Sequence, residues 1–147
     1  MNIEYQLQID AIKGTRIFYK EYGKFIFVTD GRIGVYLKES ELKIDKSKMY
    51  VINEKPDSVS FDPSDLLTER TQAKETMIAR KMSTGYAIKI HSQESDEFCY
   101  VSEKYLKMFK GYTNLYIKSR KDPVLVYKYG TPYGIILPIN IVPMEGE

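Results

Sequence analysis

From residue 15 the chain is written in short runs in which apolar and polar residues alternate at a period near two. Residues 15–21 (TRIFYKE), 24–29 (KFIFVT) and 34–38 (GVYLK) are rich in aromatic and β-branched types and are punctuated by Tyr22-Gly23 and Asp30-Gly31. Runs flanking such turn pairs predict consecutive hairpins, an antiparallel meander. The same texture returns at 86–91 (YAIKIH) and 97–101 (EFCYV) around a polar turn, and again at 114–118, 123–127 and 134–141. Residues 4–12 fit neither period cleanly, because Leu7, Ile9 and Ile12 are spaced for no single face; a strand leading into a short helical turn is expected there. Residues 49–52 (MYVI) could make a short strand, and Pro56 keeps residues 54–58 in a loop.

Two segments read as helices. At 62–65 (DPSD) an Asp can cap, Pro can occupy the first helical position and an acidic residue follows; residues 66–82 then run without Gly or Pro to a stop at Gly85. On a helix of about 100° per residue, Ala73 and Met77 lie within about 20° of Leu66, while Leu67 and Ile78 lie near 100–120°. Arg70, Lys74 and Lys81 fall between them, at about 40–80°, and so form one basic stripe. Such a stripe could meet phosphate, or its long stems could simply cover apolar surface. The second helix, within 102–109, begins at a capping Ser102, places Tyr105, Leu106 and Phe109 at helical spacing, and ends at Gly111.

Together these pieces predict an α+β domain of antiparallel strand meanders with two or three helices, spanning residues 1–143 with a frayed tail at 144–147. They also echo one another. The segment from Ala11 precedes three strand runs and a turn glycine, as does the segment from Met108, and FIFVTDGRIGVYL rhymes with VLVYKYGTPYGIILP. A duplication would give that echo, and so would any two meanders of short strands.

A helix followed by a three-strand meander, twice over, resembles one domain of the bacterial sliding clamp, the DNA polymerase processivity factor. GKFIFVTDGRIGVYL is similar to its strand, Thr-Asp-Gly turn and following strand, VSEKYLKMFKG to the start of its second helix, and PVLVYKYGTPYGIILPINI to its closing hairpin. The resemblance implies a clamp-like binding module associated with DNA or a replication protein, its fold used outside a ring by a phage or mobile element. A clamp chain carries three such domains and closes a six-domain ring, so this chain would need to self-associate as a hexamer to make one.

Composition adds limits. With 22 basic and 20 acidic residues the 147-residue chain has a formal charge of +2, so its bulk charge requires no nucleic-acid partner and any basic site must be local. The Lys118-Ser119-Arg120-Lys121 turn is one such cluster. There are thirteen Tyr, six Phe and no Trp. Tyr19, Tyr22, Tyr36, Tyr100 and Tyr116 suit half-buried strand positions. The densest group, Tyr127, Lys128, Tyr129 and Tyr133, could also stack on nucleic acid or a peptide. This supports an alternative class: a protein–protein adaptor or oligomeric structural protein that uses Tyr-rich strands without nucleic acid.

No Walker loop, dinucleotide fingerprint, nucleophile elbow or HExxH motif is present, and no enzymatic role, cofactor or metal is expected. Cys99 and His91 fall in the two arms of one hairpin without an orienting third residue, and the acidic run 94–97 reads as a solvated turn. The start of the chain lacks a secretory pattern, and no apolar stretch reaches about 18 residues, so a cytoplasmic protein away from membranes is expected.

Overall fold

A computed structural model describes residues 3–22, 24–52 and 70–141. Helix α1 (Ile3–Ile12) leads into strands β1 (Phe18–Tyr22), β2 (Phe25–Thr29) and β3 (Ile33–Lys38), and a two-residue strand β4 (Tyr50–Val51) follows. After residue 70 come β5 (Thr71–Met82), β6 (Gly85–Ser92) and β7 (Phe98–Ser102), then α2 (Glu103–Met108) and β8 (Asn114–Ile117), β9 (Val124–Lys128) and β10 (Thr131–Ile136). The ten strands form one sheet in the order β4-β1-β2-β3-β10-β9-β8-β5-β6-β7. Every pairing is antiparallel except that of β1 with β4.

The sheet is three meanders laid side by side. The last strands of the α1-β1-β2-β3 and α2-β8-β9-β10 units pair with each other, Ile135 opposite Gly34. The β5-β6-β7 meander joins through β5 to β8. Beyond β10 the chain passes Arg32, where the Leu137 N–H donates to the Arg32 carbonyl, and the Ile139 N–H then donates to the Tyr100 carbonyl of β7 at 2.7 Å. That bridge returns the free side of β7 to the continuation of β10, closing β10-β9-β8-β5-β6-β7 on itself, with β3-β2-β1-β4 continuing the sheet beyond β10.

Because side chains alternate along each strand, the registers assign every position to one of two faces. The inner face is aliphatic: Ile26, Val28, Val35, Ile90, Val101, Leu115, Ile117, Val126 and Ile136 are buried there with Ile3 and Leu7 of α1 and Leu106 of α2. The outer face is aromatic. Phe27, Tyr36, Leu125 and Ile135 form a second cluster, joined by Ile52 and flanked by Phe18, Phe25, Tyr116 and Tyr127.

The turns follow from local chemistry. Asp30 Oδ1 accepts from the Arg32 and Ile33 N–H groups at 2.8 and 3.0 Å, and Gly31 takes the positive φ of the bend. The Ser102 side chain accepts from the Tyr105 N–H and caps α2 as expected. Strands stand at all three predicted hairpins, at 50–51, and at the three late runs, although β10 starts at Thr131 and ends at Ile136, short of the expected 141.

Two expectations fail. Residues 3–12 are a helix, because Ile3, Leu7 and the partly buried Ala11 recur every four residues and make the face that packs on the core. Residues 71–82 are a strand rather than the second half of a helix. Their Ala, Lys, Glu, Met and Arg favour helix intrinsically, but β5 is paired with β8 at Thr71–Ala73 and with β6 at Ala73–Glu75 and Ala79–Met82, so tertiary pairing overrides propensity. The apolar spacing that suggested a helix included Met77, which is fully exposed. The expected cap at Asp62, the loop around Pro56 and the tail at 144–147 lie outside the described residues.

Candidate nucleic-acid interface

The strand at 71–82 redistributes the basic residues. Arg70 and Lys74 lie on the outer face, but Lys81 pairs with Tyr86 on the inner-face side, so the predicted stripe of three does not exist. The pairing of β5 with β6 slips between Glu75 and Ala79, where residues 76–78 oppose Lys89 alone. Thr76 fixes this bulge: its Oγ1 donates to the Lys89 carbonyl at 2.8 Å and accepts from the Ile78 N–H at 3.1 Å. Arg70 is half-buried, and its Nη1 donates to the Pro123 carbonyl at 2.7 Å. Burial lowers its pKa, with Asp122 opposing the shift, so Arg70 ties β5 to the β9 approach.

The outer face of β5-β6-β7 gathers a different basic set. Lys74, His91 and Phe98 stand in one row across the three strands; Lys89 and Tyr100 make the next. The Lys89 Nζ sits 4.3 Å from the centre of the Phe98 ring, and Arg120, reaching over from the β8–β9 turn, places its Cζ 4.8 Å from the same ring. The Arg80 guanidinium lies 5.6 Å over Tyr100, and His91 stacks on Phe98. Each cation–ring contact contributes on the order of 1 kcal/mol and, more usefully, fixes a long side chain that would otherwise wander. Lys89 is only 8% exposed, so its charge acts from within the surface, while Lys74 and Arg120 are exposed and able to touch a ligand. The exposed acidic turn with Glu94, Asp96 and Glu97 bounds the patch on one side.

This cluster was only partly visible beforehand. The basic turn around Arg120 is legible in the sequence, but Lys89, His91 and Phe98 join it through strand register, which the sequence pattern does not reveal until the pairing is known. Alternation also separates Cys99 from His91: Cys99 is on the inner face and His91 on the outer. Burial pushes the Cys99 thiol up to about 12, so it is a small core hydrophobe rather than a nucleophile.

Tyr127, Lys128, Tyr129 and Tyr133 do lie together, around the β9–β10 turn. Tyr127 packs edge-on against Tyr116 in the outer aromatic cluster. Tyr133 packs edge-on against Phe109 and carries Lys128 5.6 Å from its ring centre. Tyr129 stands 82% exposed at a φ of 49°, followed by Gly130 at 75°. These residues are remote in the sheet from the Phe98 cluster, so the candidate binding residues fall into two sites. Among the described residues no group of His, Cys, Asp or Glu is arranged to hold a metal, and no helix is long and apolar enough to cross a membrane. Neither a family model, a curated protein nor a solved structure matches the chain.

Proposed function

We propose that the chain is a non-enzymatic binding module of clamp-like design that holds nucleic acid through its phosphates. The observation that carries this is the convergence of Arg120 and Lys89 on Phe98 beside Lys74 and His91. Cations pinned to rings present a preorganised charge to a polyanion, and phosphate neutralisation releases counterions whatever the base sequence. Because both cations already engage Phe98, the ring supports them rather than offering itself as a stacking platform.

Support for the clamp-like design is topological. Each helix-and-meander unit ends in a strand carrying a glycine under an aromatic ring: Gly34 beneath Phe27 and Gly134 beneath Phe109. Those two strands are the ones that pair, so the two helix-and-meander units meet through their last strands. The likeness stops at the helices. In a clamp they carry the basic residues, whereas α1 here contains Glu4 and Asp10 and no Lys or Arg, and the six-residue α2 carries Lys104 and a Lys107 that is paired with Glu103. The DNA-facing role is therefore assigned to the β5-β6-β7 outer face.

The test is fluorescence anisotropy with an oligothymidylate and a mixed duplex across a salt series. Affinity should fall linearly on a log–log plot, and Lys74→Glu with Arg120→Glu should flatten the single-strand slope by about 1.4, the share of two phosphate contacts. Binding indifferent to both the salt and the two substitutions would overturn the reading. Sizing the protein in solution with and without DNA tests the ring, which requires a hexamer.

A further inference from the structure

A cavity of about 470 Å³ lies where two turns and the stretch after β10 meet the end of β7. The β2–β3 turn brings Arg32 to it and the β5–β6 turn brings Thr84, while Ser102 and Lys104 reach it from the end of β7 and the start of α2. Leu137 and Pro138, just beyond β10, supply an apolar wall. We propose that this cavity binds the phosphate monoester of a nucleotide, either free in solution or at the end of a nucleic-acid strand.

Charge and donors select the phosphate. Among the described residues the lining carries two cations, Arg32 and Lys104, and no carboxylate. The acids beside them in the chain are engaged elsewhere: Asp30 Oδ1 accepts from the backbone of its own turn, and Glu103 pairs with Lys107 at 3.2 Å. No ion pair among the described residues takes Arg32 or Lys104. A phosphate monoester carries close to two negative charges at neutral pH and three terminal oxygens. The Arg32 guanidinium can fork across two of these and Lys104 can meet the charge, leaving the third to the hydroxyls. Ser102 Oγ accepts from the Tyr105 N–H at 3.4 Å and keeps its own proton to donate, as does Thr84. A carboxylate presents two coplanar oxygens and one charge, a poorer match to donors arriving from three separate segments.

Position selects the rest of the ligand. Alternation puts Phe98, Tyr100 and Ser102 in line on the outer face of β7. Cations follow that line, with Lys89 and Arg120 at Phe98, Arg80 at Tyr100, and then Arg32 and Lys104 at the cavity. The cavity thus ends a basic track that begins at the Phe98 cluster, roughly 13 Å away along the strand. The choice of a nucleoside as the body of the ligand rests on the nucleic-acid reading of that cluster. The volume also suits a small organic ligand rather than phosphate alone. Its apolar wall is anchored at both ends, because the Leu137 N–H donates to the Arg32 carbonyl and the Ile139 N–H to the Tyr100 carbonyl. Walls fixed in advance reduce the ordering cost of binding.

The experiment is an amide-resolved NMR titration of the isotope-labelled full chain with thymidine 5′-monophosphate, thymidine and inorganic phosphate. The monophosphate should shift Arg32, Thr84, Lys104 and Leu137 and bind at least about tenfold more tightly than thymidine or inorganic phosphate. Arg32→Gln with Lys104→Gln should weaken it at least about tenfold. Both side chains are exposed, so the fold is kept, and the amide spectrum of the double variant verifies that. Anisotropy with oligothymidylates then separates the two sources. Tighter binding of a strand phosphorylated at either end than of its hydroxyl-ended form, lost in the double variant, assigns the site to a strand terminus. Equal binding of the two forms, with monophosphate binding intact, assigns it to the free nucleotide. The proposal is overturned by an absence of shifts at these residues at about 10 mM monophosphate, by thymidine or inorganic phosphate binding as tightly, or by an unchanged double variant. Lys74→Glu with Arg120→Glu should leave monophosphate binding in place, so the cavity and the Phe98 cluster fail separately.

Discussion

At the residue scale, Gly134 marks the tightest joint in the sheet. A Cβ there would meet the Gly34 carbonyl oxygen and the Phe109 ring well inside contact distance, whereas one at Gly34 would meet the ring of Phe27 and a side-chain carbon of Ile135. Backbone yields less than a side chain. Gly134→Ala should therefore cost about 3 kcal/mol or more, and more than Gly34→Ala, in urea unfolding. Glu4 gives a pH signature. Its pKa is raised by burial first and by Glu41 second, with Lys43 pulling the other way. A carboxyl raised in the folded state favours folding while protonated. Its contribution is complete below the ordinary carboxylate range and is lost as pH rises through the raised value. Glu4→Gln should accordingly be more stable than the parent at neutral pH, with the two unfolding midpoints converging in acid.

At the element scale, β5 separates a strand from a helix by a functional readout. With Lys74 outward and Lys81 on the opposite face, Lys74→Glu should weaken DNA binding several-fold while Lys81→Glu leaves it unchanged. Equal effects of the two would restore a shared stripe and remove the site. This is also where the sequence was least readable. The Asp30-Gly31 hairpin and the Ser102 cap announce themselves because their side chains bond to backbone within four residues. The two meanders were legible for the same reason: turn chemistry and alternation are local. In β5 the local preference of Ala, Lys, Glu and Met points to helix, and only the flanking ladders of β6 and β8 reverse it. Tyr127 to Tyr133 could be grouped in advance because they share one hairpin. Arg120 and Phe98 could not, because 22 residues and two strand crossings separate them.

At the scale of the whole molecule, closure depends on the short stretch after β10. The Ile139 N–H is the donor that ties that stretch to Tyr100, and replacing it with proline removes the bond and leaves a carbonyl to find water. Ile139→Pro should lower stability by about 1–3 kcal/mol. In native-state hydrogen exchange the loss should register in β7 more than in β2, since β2 stays paired on both sides with β1 and β3.

The pairing of Gly34 with Ile135 has a consequence for how the protein is made. A ribosome releases β3 about a hundred residues before β10 exists, and β3 is buried from Ile33 to Leu37 in the finished fold. Until then its open side is an unprotected apolar strand edge, the kind that recruits other chains. Nascent or truncated forms ending before β10 therefore face aggregation as the competitor to folding, and speed of synthesis becomes part of the protein's solubility.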